Sequence, residues 1–363
     1  MALGFANTSY REYQPQTIYN TITLISKQNP FKMSPGAISP TAANEVERKY
    51  HSTKAAYSLP NDNIEHHRLE SQAECLRVNQ GGTDFFAPLD KEIVRKTIDI
   101  GCGTGFLTHA MASEFPAAQI YGVDLSPVPE LRPKLPNIEY VIENIATLTD
   151  PPNPDDRFKP ASFDYVFSRL LIMGLTDWKG HLQRCVSMVK PGGWVEFHDL
   201  ENVVHRVPDD VTTPTLLAPH DLTLAQVKSK SHPADQYLND PAWNVTFQKL
   251  LRRKGLDPLI GWRLPQMFAD AGLVDIKVRR YMYPWGVWEG MTDAEKQFAE
   301  LGRGVISQML PSALAKLQQG IGKAEEEGEV KSAIEDLHAQ ARSWERGRLF
   351  IWLYVVYGRK PAE

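Results

Sequence analysis

Apolar positions along this chain change their spacing repeatedly, and each change marks an element. Around residues 62–80, Leu69, Ala73 and Leu76 form a narrow helical stripe. Asp62 and Glu65 stand in capping-box spacing before it, and Gly81-Gly82 closes it. Short apolar runs follow at 97–100, 120–123, 140–142, 163–167 and 194–197, each flanked by turn residues, and these read as strands. Between the first two, Leu107, Ala110, Met111 and Phe115 share one helical face that stops at Pro116. A further helix over 178–189 leads to the turn Pro191-Gly192-Gly193. Strands alternating with helices predict an α/β fold, a parallel sheet with helices on both faces. The stretches 126–136 and 151–160 carry too many prolines for helices, and the first falls where a second crossover helix would go.

Beyond residue 200 the spacing loosens. Short helical pieces such as 243–254 lie between turns over 208–258. A helix at 263–271 ends at Gly272, and a strand follows at 274–283. Thr292 and Glu295 form another capping box, opening about fifty residues of helical segments whose acidic stretch 325–327 reads as a solvated face. The run 349–357 is apolar on both faces and reads as a buried strand. Residues 1–45, polar with scattered aromatics and broken by Pro30, Pro35 and Pro40, read as an arm and not as a domain with its own core. The expected organisation is therefore an arm at 1–45 and one domain at 46–363, with lid insertions at about 207–260 and 291–345. The arm is expected to pack over the carboxyl edge of the sheet.

Composition narrows the function classes. Of 363 residues, 42% are hydrophobic and 23% charged, ample for a buried core and unlike a disordered chain. Forty Lys and Arg against 44 Asp and Glu give a net charge of −4 with no basic block, which argues against nucleic acid as a partner. The three cysteines, Cys75, Cys102 and Cys185, are far apart, so neither a disulfide framework nor a cysteine-rich metal site is expected. The N-terminal stretch lacks the charged and apolar regions of a secretory signal, and the longest apolar run is too short to span a bilayer. These features predict a soluble, cytoplasmic protein.

The strongest chemical signal is Asp99-Ile100-Gly101-Cys102-Gly103-Thr104-Gly105 at a strand-to-helix junction. Glycines there let the backbone turn sharply and let a ligand lie against it. Nineteen residues past Gly105 stands Asp124, at a strand end where a carboxylate accepts from both hydroxyls of a ribose. The dinucleotide fingerprint fits poorly, because the third glycine comes one residue early. Asp99 would also repel a pyrophosphate, whereas it suits a ligand carrying an ammonium and a sulfonium. S-adenosylmethionine (SAM) has both, and a ribose for Asp124. No Gly-Lys-Ser/Thr follows the loop, so it is not a phosphate-binding P-loop. After the third strand, Glu143-Asn144-Ile145 offers an amide and backbone N–H groups to an adenine edge. After the fourth, Ser168-Arg169-Leu170 borders the mouth where sheet-bound ligands sit, although Arg169 equally suits a surface ion pair.

Together with Tyr121-Gly122-Val123-Asp124, Phe163-Asp164-Tyr165-Val166 and Lys190-Pro191-Gly192-Gly193, the loop resembles the motifs of class I SAM-dependent methyltransferases. A narrower resemblance, to the LaeA-like methyltransferases of fungi, rests on several segments. They are Tyr57-Ser58-Leu59-Pro60-Asn61-Asp62 with Glu65, Arg68 and Leu69; Val123-Asp124-Leu125-Ser126-Pro127; Asp177-Trp178; Gly192-Gly193-Trp194-Val195-Glu196; and Tyr357-Gly358-Arg359-Lys360-Pro361. The resemblance implies a seven-stranded Rossmann-like sheet, SAM as cofactor, and SAM contacts at Gly101, Gly103, Asp124, Asn144, Ile145 and Ser168. Asp99, Cys102, Leu125 and Arg169 complete the candidate cofactor-binding set. One departure is Glu143-Asn144, where the family has paired acids; the Asn carbonyl can still accept from an adenine amino group.

Methyl transfer requires acceptor, methyl and sulfur in line and water excluded. An oxygen or nitrogen acceptor can also need a general base, and His198, followed by Asp199 and Glu201 after the fifth strand, is the candidate. The competing reading of His198 is a hydrogen-bonded structural residue. Tyr10, Tyr13, Tyr19, Phe31, Trp285 and Trp288 are candidates for the wall of an acceptor pocket, or for ordinary packing. A lidded, aromatic-lined pocket implies a small-molecule acceptor in specialised metabolism. Two other readings stay open: a LaeA-like regulator acting through protein partners, in which case nuclear, and a SAM-binding catalyst of another reaction.

Overall fold

The computed structural model describes residues 61–150, 155–209, 219–229, 240–304, 309–319, 324–342 and 347–362. The arm at 1–45, with Tyr10, Tyr13, Tyr19 and Phe31, lies outside them. Among the described residues, eight strands, numbered in chain order, form one sheet in the order β3-β2-β1-β4-β5-β8-β7-β6. β1 (Lys96–Ile100), β2 (Gln119–Asp124), β3 (Ile138–Ile142), β4 (Phe163–Arg169) and β5 (Val189–Arg206) pair in parallel. β8 (Leu349–Arg359) inserts antiparallel between β5 and β7 (Val274–Pro284). The sheet has one strand more than the expected seven: β6 (His220–Leu222), three residues pairing with Val278–Arg280 at the far edge. Three residues are too few to establish a period-two pattern, which is why the sequence hid it.

β1 lies between β2 and β4, so the direction of winding reverses there and a crevice opens beyond its carboxyl end. Alternation along the strands decides what faces what. Ile98, Ile100 and Val166 enter the larger core, with Phe197, Leu264, Phe268 and Trp352. Tyr165 and Phe167 point the other way, to a smaller core with Leu107, Met111, Phe115 and Ile120. Asp99 is on that second face, beneath the helix Phe106–Glu114. Near-complete burial of β1 and β8 reflects coverage on both sides, as parallel and central strands require.

The helix Asn63–Asn79 is capped as expected at one side only: the Asp62 carboxylate accepts from the Glu65 N–H (3.0 Å), while Glu65 turns to pair with Arg68 (2.6 Å). Gln72 Nε2 donates to Tyr283 Oη (3.1 Å), docking this helix on β7. At the second box both halves form: Thr292 N donates to Glu295 Oε2 (2.6 Å) and Glu295 N to Thr292 Oγ1 (3.3 Å), opening the helix Asp293–Gly304. No helix fills 126–136. The helix expected at 263–271 starts earlier, Ile260–Asp270, and contains Pro265. The Pro191-Gly192-Gly193 turn is absorbed into β5 as an irregularity between Val189 and Trp194. Trp285 and Trp288 are 3% and 6% exposed within the larger core, Trp285 against Trp243 (5.9 Å between centroids), so of the two readings they follow ordinary packing. Among the described residues, no helix is long and apolar enough to cross a membrane.

Candidate functional site

A cavity of about 250 Å³ occupies the crevice at the carboxyl end of β1. Its lining includes Asp99, Gly101, Cys102, Gly103, Asp124, Leu125, Asn144, Ile145 and Arg169, nine of the residues singled out by motif. The glycine loop is shaped by left-handed backbone: Gly101, Gly103 and Gly105 have φ of 72°, 54° and 73°. It is stapled to β2 by the N–H groups of Gly101 and Cys102, both donating to the Val123 carbonyl (2.7 and 3.1 Å). Above Gly103 the space is open; an added Cβ would meet only Leu69 Cδ1, at 3.9 Å.

Asp124 closes the loop from the other strand. Its Oδ2 accepts from Gly103 N (2.8 Å) and its Oδ1 from Ser126 N (3.0 Å), so one carboxylate fixes both loops that border the cavity. Asp99 is 2% exposed and accepts from Thr108 Oγ1 at 2.7 Å. Burial pushes its carboxyl up to about 6, against the lowering effect of Thr108 and Arg169. Thr108 can come this close because residue 122 is glycine: a Cβ there would stand 3.0 Å from Thr108 Oγ1 and 2.7 Å from the Tyr140 ring.

Two candidate residues are not brought to the cavity. Ser168 is 1% exposed, inside the sheet between Ile100 and Phe197. His198 is fully enclosed, with its ring 4.9 Å from that of Phe167 and its Nε2 2.6 Å from Glu196 Oε1. Glu196 also accepts from Phe86 N (2.9 Å), Ala87 N (2.7 Å) and Tyr165 Oη (3.0 Å). The histidine therefore belongs to a buried clasp that ties residues 86–87 to β5, and burial holds it below the usual imidazole range. Period-two alternation explains the outcome, because residue 198 falls on the same face as Glu196. Asn144 lines the cavity but its Oδ1 accepts from Ala146 N (2.9 Å), capping the helix Ile145–Thr149; the adenine contact expected of that carbonyl would have to share it.

The lining also holds Asn61, from the Tyr57–Asp62 segment, and His66, and it takes in Gln72, Leu171, Leu175 and His181, which lie outside every motif. Asn61, His66 and Ser126 form a chain, with His66 Nε2 2.9 Å from Asn61 Oδ1 and Asn61 Nδ2 donating to Ser126 Oγ (2.9 Å). His181 is 1% exposed and burial lowers it to about 4, so it is a neutral imidazole. No short-range pattern marks Gln72 or His181; the docking of the Asn63–Asn79 helix and the helix Trp178–Met188 on the crevice brings them there. Among the described residues, no group of His, Cys, Asp and Glu is arranged to hold a metal ion.

The residues present fit SAM. A buried carboxylate at Asp99 complements an ammonium, the Asp124 carboxylate borders the cavity where a ribose would lie, and the uncovered surface of Gly103 admits a ligand against the backbone. Residues 98–195 match a family described as a methyltransferase domain. A solved phosphoethanolamine N-methyltransferase 2 of Haemonchus contortus aligns over 80% of this chain and 52% of its own, at 22% identity and a TM-score of 0.38. Methyltransferase pytC of Aspergillus terreus is 29% identical over 217 residues, 58% of this chain and 61% of that protein. Methyltransferase str2 of Strobilurus tenacellus is 32% identical over 145 residues, 40% of this chain and 49% of that one. The secondary metabolism regulator laeA of Coprinopsis cinerea is 30% identical over 159 residues, 41% of this chain and 36% of that one. The chain thus spans less than two thirds of each of these relatives. It carries a methyltransferase domain over residues 98–195.

Proposed function

We propose that the protein is a SAM-dependent methyltransferase that transfers a methyl group to oxygen or nitrogen of a small-molecule acceptor in specialised metabolism. The observation that carries this reading is the cavity itself: the buried Asp99 carboxylate, the left-handed glycine loop and Asp124 border one partly open cleft. The names of the fungal relatives pytC and str2 support the methyltransferase reading, and that of laeA supports the regulatory one. Bound SAM supplies a methyl carbon already activated by its sulfonium. Asp99 holds the ammonium end, Asp124 the ribose, and Leu125 and Ile145 flank the base. The apolar side chains Leu170, Leu171 and Leu175 exclude water from the wall of the cavity. His181 is neutral and His198 lies outside the cavity, which leaves His66, 2.9 Å from Asn61 Oδ1, as the lining imidazole that would take an acceptor's proton; an acceptor that brings its nucleophile ionised needs no base.

The test is incubation of the full chain with SAM labelled in its methyl group and an extract of the producing cells. Label in low-mass organic products supports the proposal. Label confined to protein would favour action on a macromolecular partner, and S-adenosylhomocysteine (SAH) binding without any transfer would favour the regulatory reading.

A further inference from the structure

Asp199 is an enclosed acid with no part in the chemistry above. It lies on β5 and is 1% exposed. Its Oδ2 accepts from Leu171 N (2.8 Å) and its Oδ1 from Leu200 N (2.9 Å). A carboxylate is costly to enclose, and one whose partners are main-chain N–H groups is fixing main chain. Leu171 belongs to the wall of the cavity, with Leu170, Gly174 and Leu175. Leu170 precedes it in left-handed backbone, φ 56°, which a residue with a Cβ rarely adopts and which persists only where the surroundings over-determine it. Here β5 does so twice: Leu170 N donates to the His198 carbonyl (2.8 Å) and Leu171 N to the Asp199 carboxylate. The Leu171 carbonyl accepts from Gly174 N and Leu175 N (3.0 and 2.9 Å), which carries the constraint along the wall. On its other side Leu171 lies so close to the glycine loop that a Cβ on Gly101 would collide with its Cδ2. The helix Ile260–Asp270 presses on the main chain of Asp199 at Gly261, where a Cβ would stand 2.6 Å from the Asp199 carbonyl oxygen. The carboxylate thus reaches from a clamped strand to the wall.

We propose that Asp199 is the positioning residue of this wall: its ionised carboxylate holds the left-handed turn at Leu170 and thereby sets Leu171 against the glycine loop. Asp199 is outside the cavity lining, so it acts through Leu171. Protonation turns one acceptor oxygen into a hydroxyl facing an N–H, and the turn loses a hold. Burial pushes the carboxyl up to about 7, against the lowering effect of the N–H groups of Leu200, Leu171 and Ile172. The titratable groups on the same face are Glu201, two residues on; Tyr354, paired with Asp199 across β8; Arg280, paired with Tyr354 across β7; and His181, stacked on Phe197 (5.1 Å between centroids). The Tyr354 hydroxyl donates to Glu201 Oε2 (3.0 Å) and accepts from Arg280 Nη1 (3.4 Å). Local and global effects of Asp199 have opposite signs. A carboxyl whose folded value lies above its unfolded one contributes stability that is lost as pH rises through about 7. The wall should tighten over that same interval, a response that a general effect on the fold cannot produce. The consequence for ligands rests on the cavity being the SAM site.

Hydrogen exchange on the full chain, read residue by residue, tests the hold directly. Protection of the Leu171 amide, corrected for the intrinsic rate, should rise about tenfold between pH 6 and 8 in the wild type, as the ionised fraction does. It should stay level in Asp199→Asn, whose amide oxygen serves only one of the two donors. Level protection in the wild type, or the same rise in Asp199→Asn, overturns the proposal. The wild-type series needs no variant and decides alone if Asp199→Asn does not fold. Calorimetry with SAH at pH 8, where Asp99 and Asp199 are both ionised, reads the consequence for the cavity. Asp199→Asn should bind SAH about 2- to 10-fold more weakly, as loss of one net hydrogen bond implies. Glycine adopts a φ of 56° without strain, so the same substitution in a Leu170→Gly chain should weaken SAH less than about twofold. An equal loss in both backgrounds would show that Asp199 does not act on this turn, and overturns the proposal. A wild-type chain that fails to bind SAH while Leu171 exchange follows pH as expected would instead overturn the SAM site and support the hold on the wall.

Discussion

Replacing Asp124 by alanine separates two tasks that the structure gives to one carboxylate. The first is internal: Oδ2 and Oδ1 accept from Gly103 N and Ser126 N, at 2.8 and 3.0 Å, both partly buried. Hydrogen bonds to a charged group are worth about 1.5–3 kcal/mol when buried; with water able to reach both amides in the variant, roughly half of that per bond, about 1.5–3 kcal/mol in all, is the expected loss of stability. The second task is the ribose. Two hydroxyls donating to the remaining lone pairs contribute about 0.5–1.5 kcal/mol each, so SAH affinity should fall about 5- to 150-fold. Calorimetry gives the affinity and urea denaturation the stability. Comparison of adenosine with 2′,3′-dideoxyadenosine isolates the ribose share: the variant should lose the wild-type preference for adenosine, whereas a purely structural role for Asp124 would weaken both nucleosides alike. Equal SAH affinity in variant and wild type would remove Asp124 from the site.

Three further outcomes are expected. Gly103→Val should abolish SAH binding, because its branched side chain enters the open space above the loop at a backbone φ of 54°; tight binding by a folded variant would contradict the loop assignment. SAH affinity should rise with pH through about 6, by at most about tenfold per unit below that value, because the ligand's ammonium selects the ionised form of Asp99. The raised carboxyl acts on folding with the opposite sign: its contribution to stability is present below its unfolded value and is lost as pH rises through about 6. A flat SAH affinity between pH 5 and 7, or an Asp99→Asn variant with the same slope, would rule out this role. Glu196→Ala should destabilise the fold by about 3–5 kcal/mol, since four donors in the enclosed clasp lose their acceptor; a melting temperature within a degree or two of wild type would show the clasp to be dispensable.

What the sequence determined by itself is local in origin. A strand, an acid, three glycines and a helix in immediate succession specify one turn, because left-handed backbone and a helix start are decided within a few residues. Asp124 was legible because a parallel neighbour of fixed length places its end beside that loop. The prolines of 126–136 forbade a helix for the same local reason. The tertiary structure decided what depends on alternation and docking. His198 has the chemistry of a base, yet its place two residues from Glu196 turns it into a buried clasp. Trp285 and Trp288 have the chemistry of a pocket wall, yet β7 and the helices around it bury them in the larger core. His66, Gln72 and His181 reach the cavity from the helices Asn63–Asn79 and Trp178–Met188, elements separated by about a hundred residues or more, and no spacing along the chain could announce that meeting. Arg169 stands between the two cases. Its position at the end of β4 was readable, but the enclosure of its Nη1 arises only when neighbouring elements pack around it, because burial is a property of the assembled surface and not of the residue.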